Sequence, residues 1–91
     1  MRTLGLENDP LAIDLAFSDS AFRVFLEDGR ELSIPYAWFP RLLNGTAEQR
    51  SVWQLIGRGE GIHWPELDED ISVLGLLAGH RSQAGHRKSA A

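Results

Sequence analysis

The 91 residues contain no cysteine. That absence removes disulfide scaffolds and thiolate metal sites, fits a reducing compartment, and leaves the core to hydrophobic burial alone. No apolar run is long enough to span a bilayer, and Met1 to Pro10 carries one arginine and two acids without an apolar stretch, so neither membrane insertion nor a secretion signal is predicted. The expected location is the cytoplasm. Length is also scarce. A chain of this size forms one domain that buries roughly 60–70% of its unfolded surface, which favours a small binding module over an enzyme with a deep cleft.

Bases are few and unevenly placed. Residues 80–91 carry Arg81, Arg87 and Lys88 with no acid, so residues 1–79 hold six bases against thirteen acids. An acidic body repels phosphate backbones, whose neutralisation by Lys and Arg supplies most non-specific nucleic-acid affinity, and suits a basic protein partner instead. Alanine is the only aliphatic type in residues 80–91. That segment cannot offset its own ordering entropy and is expected to be a disordered basic tail behind a single domain of residues 1–79.

What is present is patterned. Ile13, Leu15 and Phe17 alternate with polar or small residues, Ser18-Asp19-Ser20 interrupts them, and Phe22, Val24 and Leu26 resume the alternation. Asp28-Gly29, a pair favoured in tight hairpin turns, precedes Leu32, Ile34 and Tyr36, so a three-stranded antiparallel meander is predicted. Phe25 falls on the face opposite Val24, either covered by another element or left for a partner. Beyond Pro35, the spacing of Trp38, Phe39, Leu42 and Leu43 predicts a helical turn with Pro40 near its start. Thr46 with Gln49 three residues later forms a capping-box pattern, predicting a helix from Thr46 through Ile56 that Gly57 ends.

Gly57, Gly59 and Gly61 alternate with Arg58 and Glu60, but no Gly-Lys-Ser/Thr ending follows, so the segment is a turn and not a phosphate loop. Ile62-His63-Trp64 is predicted as a fourth short strand. Asp68 is predicted to cap a last helix through Ile71, Val73, Leu74, Leu76 and Leu77, closed by Gly79, with Glu69 and Asp70 favoured by the positive end of its dipole. The whole predicts an α+β fold: a small antiparallel β-meander of three to four strands packed against two to three short helices.

Chemistry is harder to find. His63 with Asp68 and Asp70 would have to converge across a turn containing Pro65 to hold a metal, and Glu66 with Asp68 lacks a nucleophile, base or oxyanion donor around it. No catalytic residue, cofactor site or metal site is assigned, and His63 is read as a sheet histidine.

The segments Leu26-Glu27-Asp28-Gly29-Arg30 with Ile34-Pro35, Trp38-Phe39-Pro40-Arg41-Leu42, Thr46-Ala47-Glu48-Gln49-Arg50, Gly59-Glu60-Gly61-Ile62-His63-Trp64-Pro65 and Leu67-Asp68-Glu69-Asp70-Ile71-Ser72-Val73 together resemble the bacterial family called domain of unknown function 2442. They cover about residues 12–79 in the short stand-alone form. The resemblance implies a small α+β fold with no established enzymatic activity. It also implies relatives encoded beside another small protein in a toxin–antitoxin-like arrangement, and others fused to a helix-turn-helix domain.

The expected function is a non-enzymatic protein-interaction module, antitoxin-like, with a small basic protein as partner. Phe25, Tyr36, Trp38 and Arg41 are the candidate contacts, since buried aromatics and arginine dominate interface energies. Core packing is the competing reading for the three aromatics, and an internal acid for Arg41. A free sheet edge offers a route to a homodimer or a partner complex. The alternative function is a regulatory domain tied to DNA-binding transcriptional control. No basic recognition helix is visible, so direct contact with nucleic acid is not expected outside residues 80–91.

Overall fold

The computed structural model describes residues 9–81. The first half forms the predicted meander but departs from the alternation at its start, where Ile13, expected inward with Leu15 and Phe17, is 58% exposed and Ala12 is buried in its place. Strands β1 (Ala12–Phe17), β2 (Ala21–Leu26) and β3 (Glu31–Pro35) form an antiparallel sheet in the order β1-β2-β3. Cross-strand rows Leu15–Val24–Leu32 and Phe17–Phe22–Ile34 share the core face. A register shift between Ala12 and Asp14 marks a bulge. The Asp28-Gly29 turn differs from the tight type with two left-handed residues. Gly29 alone has positive φ (97°). Its N–H donates to Leu26 O, and Leu26 N–H donates to Arg30 O, giving a three-residue loop of a type I turn closed by a left-handed glycine.

A 3-10 turn, Tyr36–Trp38, leads into α1 (Pro40–Asn44), with Pro40 at the first helical position. Helix α2 (Ala47–Arg50) opens with the predicted capping box: Thr46 Oγ1 accepts from Gln49 N–H at 3.0 Å, and Gln49 Oε1 accepts from Thr46 N–H at 2.9 Å. Thr46→Ala is expected to cost about 1 kcal/mol. Circular dichroism should read this as a fall in Tm of about 4–8 °C.

The second half departs from expectation. The helix predicted through Ile56 stops at Arg50, and Gln54–Ile56 form a strand, β4. The indole of Trp64 claims the Arg50 carbonyl at 3.0 Å, and the branched or aromatic side chains of Val52, Trp53 and Ile56 favour extended backbone. Gly57 (φ 62°) and Gly59 (φ 119°) then turn β4 into β5 (Gly61–Trp64). Gly59 also lies so close to Ala12 that a Cβ would strike the Ala12 backbone, and its carbonyl accepts from Ala12 N–H at 2.8 Å. That bond ties the second sheet to the first.

The three consecutive acids also fall elsewhere than predicted. Asp68 caps no helix: it sits in a turn with φ 52°, and Glu69–Ser72 form strand β6. Ser72 is the true cap of α3 (Val73–Leu77), its Oγ accepting from Gly75 N–H at 3.0 Å. Gly79 ends this helix as predicted: with φ 83°, its N–H donates to Leu76 O while His80 N–H reaches back to Gly75 O, a Schellman closure. The fold is α+β, with two antiparallel three-stranded sheets and three short α-helices among the described residues. The meander of three to four strands expected from the sequence is thus joined by a second sheet, ordered β4-β5-β6.

One hydrophobic core unites both sheets. Phe22 stacks on Tyr36 (centroids 6.1 Å apart) and meets Trp64 edge-on at 5.7 Å, with Phe39 at 6.3 Å. Leu42, Ile62 and Val73 close around them, each fully or almost fully buried. No helix among the described residues is long and apolar enough to cross a membrane. The tail expected over residues 80–91 lies outside the described residues from 82 onward, whereas His80 and Arg81 pack beside the domain.

Candidate functional site

The β5–β6 hairpin organises the most chemically distinctive part of the surface. Its register pairs Trp64 with Glu69, His63 with Asp70 and Ile62 with Ile71. Because successive side chains in a strand point to opposite faces, Asp70 joins His63 on the outer face, while Glu69 joins Trp64 and Ile71 on the core face. The three acids that look alike in sequence therefore occupy three environments. Asp68 is exposed in the turn, Glu69 is 7% exposed, and Asp70 is exposed beside His63. Nδ1 of His63 hydrogen-bonds Asp70 Oδ1, the carboxylate accepting.

Glu69 Oε1 has no hydrogen-bond partner among the described residues. Burial pushes its pKa above the ordinary value. Arg41 opposes that shift by charge, and Asp70 and Asp68 add to it. Beside this carboxyl, between β6 and α3, lies a cavity of about 300 Å³. Its buried lining is Phe39, Ile71 and Leu76, and its exposed lining is Asp70, Ser72, His80 and Arg81, with Gly75 half-buried between them.

Two of the expected contact residues border this region. Arg41, exposed on α1, donates from Nη1 to the backbone carbonyl of Asp68. The internal partner foreseen for it is thus a main-chain oxygen instead of a carboxylate. Trp38 is half-buried, with the Arg81 guanidinium 4.5 Å from its ring centroid. The other two lie apart. Tyr36 is only 2% exposed: its hydroxyl donates to Ser18 O at 2.7 Å, and Arg50 covers its ring at 4.3 Å. In this structure it is a core aromatic with no surface to offer. Phe25 is half-buried on the outer face of the first sheet, 5.7 Å from the Arg23 guanidinium and cross-strand from Asp14 and Glu31.

Glu69 escaped the sequence reading. The signal was the period-two series Glu69, Ile71, Val73, which places an acid at an apolar position. Among the described residues no three His, Cys, Asp or Glu side chains are grouped closely enough to hold a metal ion. Ser72 Oγ, two residues from Asp70, is taken up by the cap of α3.

No curated protein matches the chain. Two solved structures resemble it. One is the crystal structure of a protein of unknown function from Rhodospirillum rubrum, 30% identical, with a TM-score of 0.74 over 82% of this chain and 93% of that one. The other is the solution structure of an uncharacterized protein from Chromobacterium violaceum, with a TM-score of 0.72 over 84% of this chain and 75% of that one. At 24% identity the latter speaks for the fold alone. The sequence model of the family described as "Protein of unknown function (DUF2442)" matches residues 12–82, reaching past Gly79 to take in His80 and Arg81, and the chain belongs to this family.

Proposed function

We propose that the domain is a non-enzymatic protein-interaction module, antitoxin-like in its mode of action, whose β5–β6 corner receives a small basic protein. The observation that carries this reading is the presentation of Glu66, Asp68 and Asp70 on one hairpin, all exposed. The hairpin end is fixed by Arg41, which holds the Asp68 carbonyl. Fixed like charges beside apolar surface are what an oppositely charged partner exploits for fast, specific association. Half-buried Trp38 and the 52% exposed Leu74 supply such surface nearby.

For the first sheet, docking on a face is better supported than addition of a strand. In the first sheet, Asp14 Oδ1 already accepts the Leu15 N–H of edge strand β1 at 2.8 Å. The other edge, β3, ends in Pro35, which has no N–H to offer. A homodimer built through these edges would first have to displace or bypass those features.

The test is co-expression of the tagged chain with the product of the adjacent gene, followed by pull-down and growth measurements. Co-purification with rescue of growth is expected. A Glu66→Lys, Asp70→Lys double variant should weaken the complex about tenfold or more at low salt and less at high salt. Undiminished binding by that variant would sink the charge-based reading. Co-purification of nucleic acid in place of protein would favour the regulatory alternative.

A further inference from the structure

Glu69 occupies an apolar position of its strand, and its buried Oε1 has no hydrogen-bond donor among the described residues. Burying such a group unpaired is costly, and native proteins rarely do so unless another molecule supplies the missing hydrogen bonds. Two guanidinium groups border the same region, and neither is hydrogen-bonded to Glu69. Arg41 donates to the Asp68 carbonyl, and Arg81 lies over the Trp38 ring. Glu69 takes part in none of the salt bridges among the described residues.

The adjoining cavity fits a particular shape of ligand. At about 300 Å³ it stands at the small end of ligand pockets, with room for one long side chain. Its apolar depth, Phe39 and Leu76, suits an aliphatic stem, and Asp70 at the mouth adds a second acid. A guanidinium is planar, offers five donors, pairs with carboxylates through two parallel hydrogen bonds, and gives up its hydration more readily than an ammonium.

We propose that the cleft between β6 and α3 is a receptor for a single arginine side chain of a basic protein partner, paired with Glu69 and guided by Asp70. The proposal deepens the interaction reading and rests on it for the source of the arginine. The chain's own Arg81 sits at the cleft without closing it, because Trp38 holds its guanidinium. Glu69 and Asp70 together leave the cleft with an excess of negative charge over Arg81.

The probe is Nα-acetyl-arginine methylamide, titrated into the isotope-labelled full chain, with the norleucine analogue as an apolar control. Saturable shifts are expected at the Ser72 and Gly75 amides and at the Glu69 carboxyl carbon, with the arginine compound only. Glu69→Gln should weaken binding about tenfold, since it removes the charged partner of the hydrogen bonds.

Gly75→Leu provides an independent block that leaves the carboxylate in place. An added Cβ there meets Ser72 and His80 at ordinary distances of 3.5–3.7 Å, and the longer side chain fills the cleft from the helix side. The same loss is expected. No saturable shift in the wild-type chain, an equal response to norleucine, or unchanged binding in both variants would each overturn the proposal. So would equal retention of the co-expressed partner by wild type, Glu69→Gln and Gly75→Leu, an outcome that leaves the interaction reading standing. The free probe reads the cleft even where no partner binds, so failure of the one idea is distinguishable from failure of the other.

Discussion

Trp64→Ala is expected to remove about 3–5 kcal/mol of stability, the range for deleting a fully buried large aromatic. For a domain this small, total stability is of order 5–15 kcal/mol, so the variant should be partly unfolded at 37 °C. Trp64 is 0% exposed on the central strand of the second sheet, with its ring edge against Phe22 of the first. It therefore joins the two sheets. Its Nε1 also donates to Arg50 O, at the point where α2 gives way to the segment leading into β4. Truncation would open a cavity and leave that carbonyl without its donor. Trp64→Phe separates the two effects, keeping a ring while losing the N–H, and should cost roughly 1–2 kcal/mol more than a volume-conserving swap alone. Urea unfolding followed by far-ultraviolet circular dichroism measures both, avoiding fluorescence from Trp38 and Trp53. A loss below about 1.5 kcal/mol for the alanine variant would mean that the sheets hold together without this contact, contrary to the packing described.

That junction also explains which parts of the fold were legible in the sequence. Strands β2 and β3 could be read because apolar and polar residues alternate along them between turn signals, whereas β1 was placed correctly but its bulge, which turns Ile13 outward and buries Ala12, was not legible. The capping box at Thr46 and the stop at Gly79 are local chemistry and were equally readable. Strand β4 was not. Val52, Leu55 and Ile56 are spaced as on a helix face, the strand has only three residues, and what ends α2 is a bond from Trp64, fourteen residues away. Tertiary contact overrides local preference there.

Strand β6 was hidden for a different reason. An aspartate followed by two more acids ahead of an apolar run is a helix-start signature, and the actual cap, Ser72, stands four residues further on. Shifting the helix start by those four residues converts two supposed surface acids into one buried and one exposed strand residue. The candidate site suffered accordingly. Trp38 and Arg41 could be picked out from residue type and do border the acidic hairpin, while Glu69 looked like one more solvated acid. The register Trp64↔Glu69 places it on the core face, in line with its period-two spacing from Ile71.

Glu69→Met is expected to stabilise the domain by about 1–3 kcal/mol at pH 7, the cost of a buried polar group without a partner. In a domain of this size each kcal/mol raises Tm by about 4–8 °C. Methionine is unbranched, close to glutamate in length, and adapts to irregular space, so it can lie against Trp64 and Ile71 without strain. The pH dependence gives the sharper signature. Burial raises the pKa of Glu69 in the folded chain above its ordinary value of 4.5. Between those two values the folded chain holds a proton that the unfolded chain has released, so stability falls as pH rises. The favourable contribution is fully present below pH 4.5 and is lost as pH rises through the folded-state value. The methionine variant has no such loss. Its advantage over wild type should therefore be small at pH 4, grow as pH rises, and level off once Glu69 is ionised in both states. An advantage that stays constant from pH 4 to pH 8, or a variant less stable than wild type at pH 7, would show that the carboxylate is satisfied in solution. A stabilised variant that no longer responds to the arginine probe would mark Glu69 as a residue whose placement costs stability and serves binding, the trade expected where a buried charge awaits its counterpart.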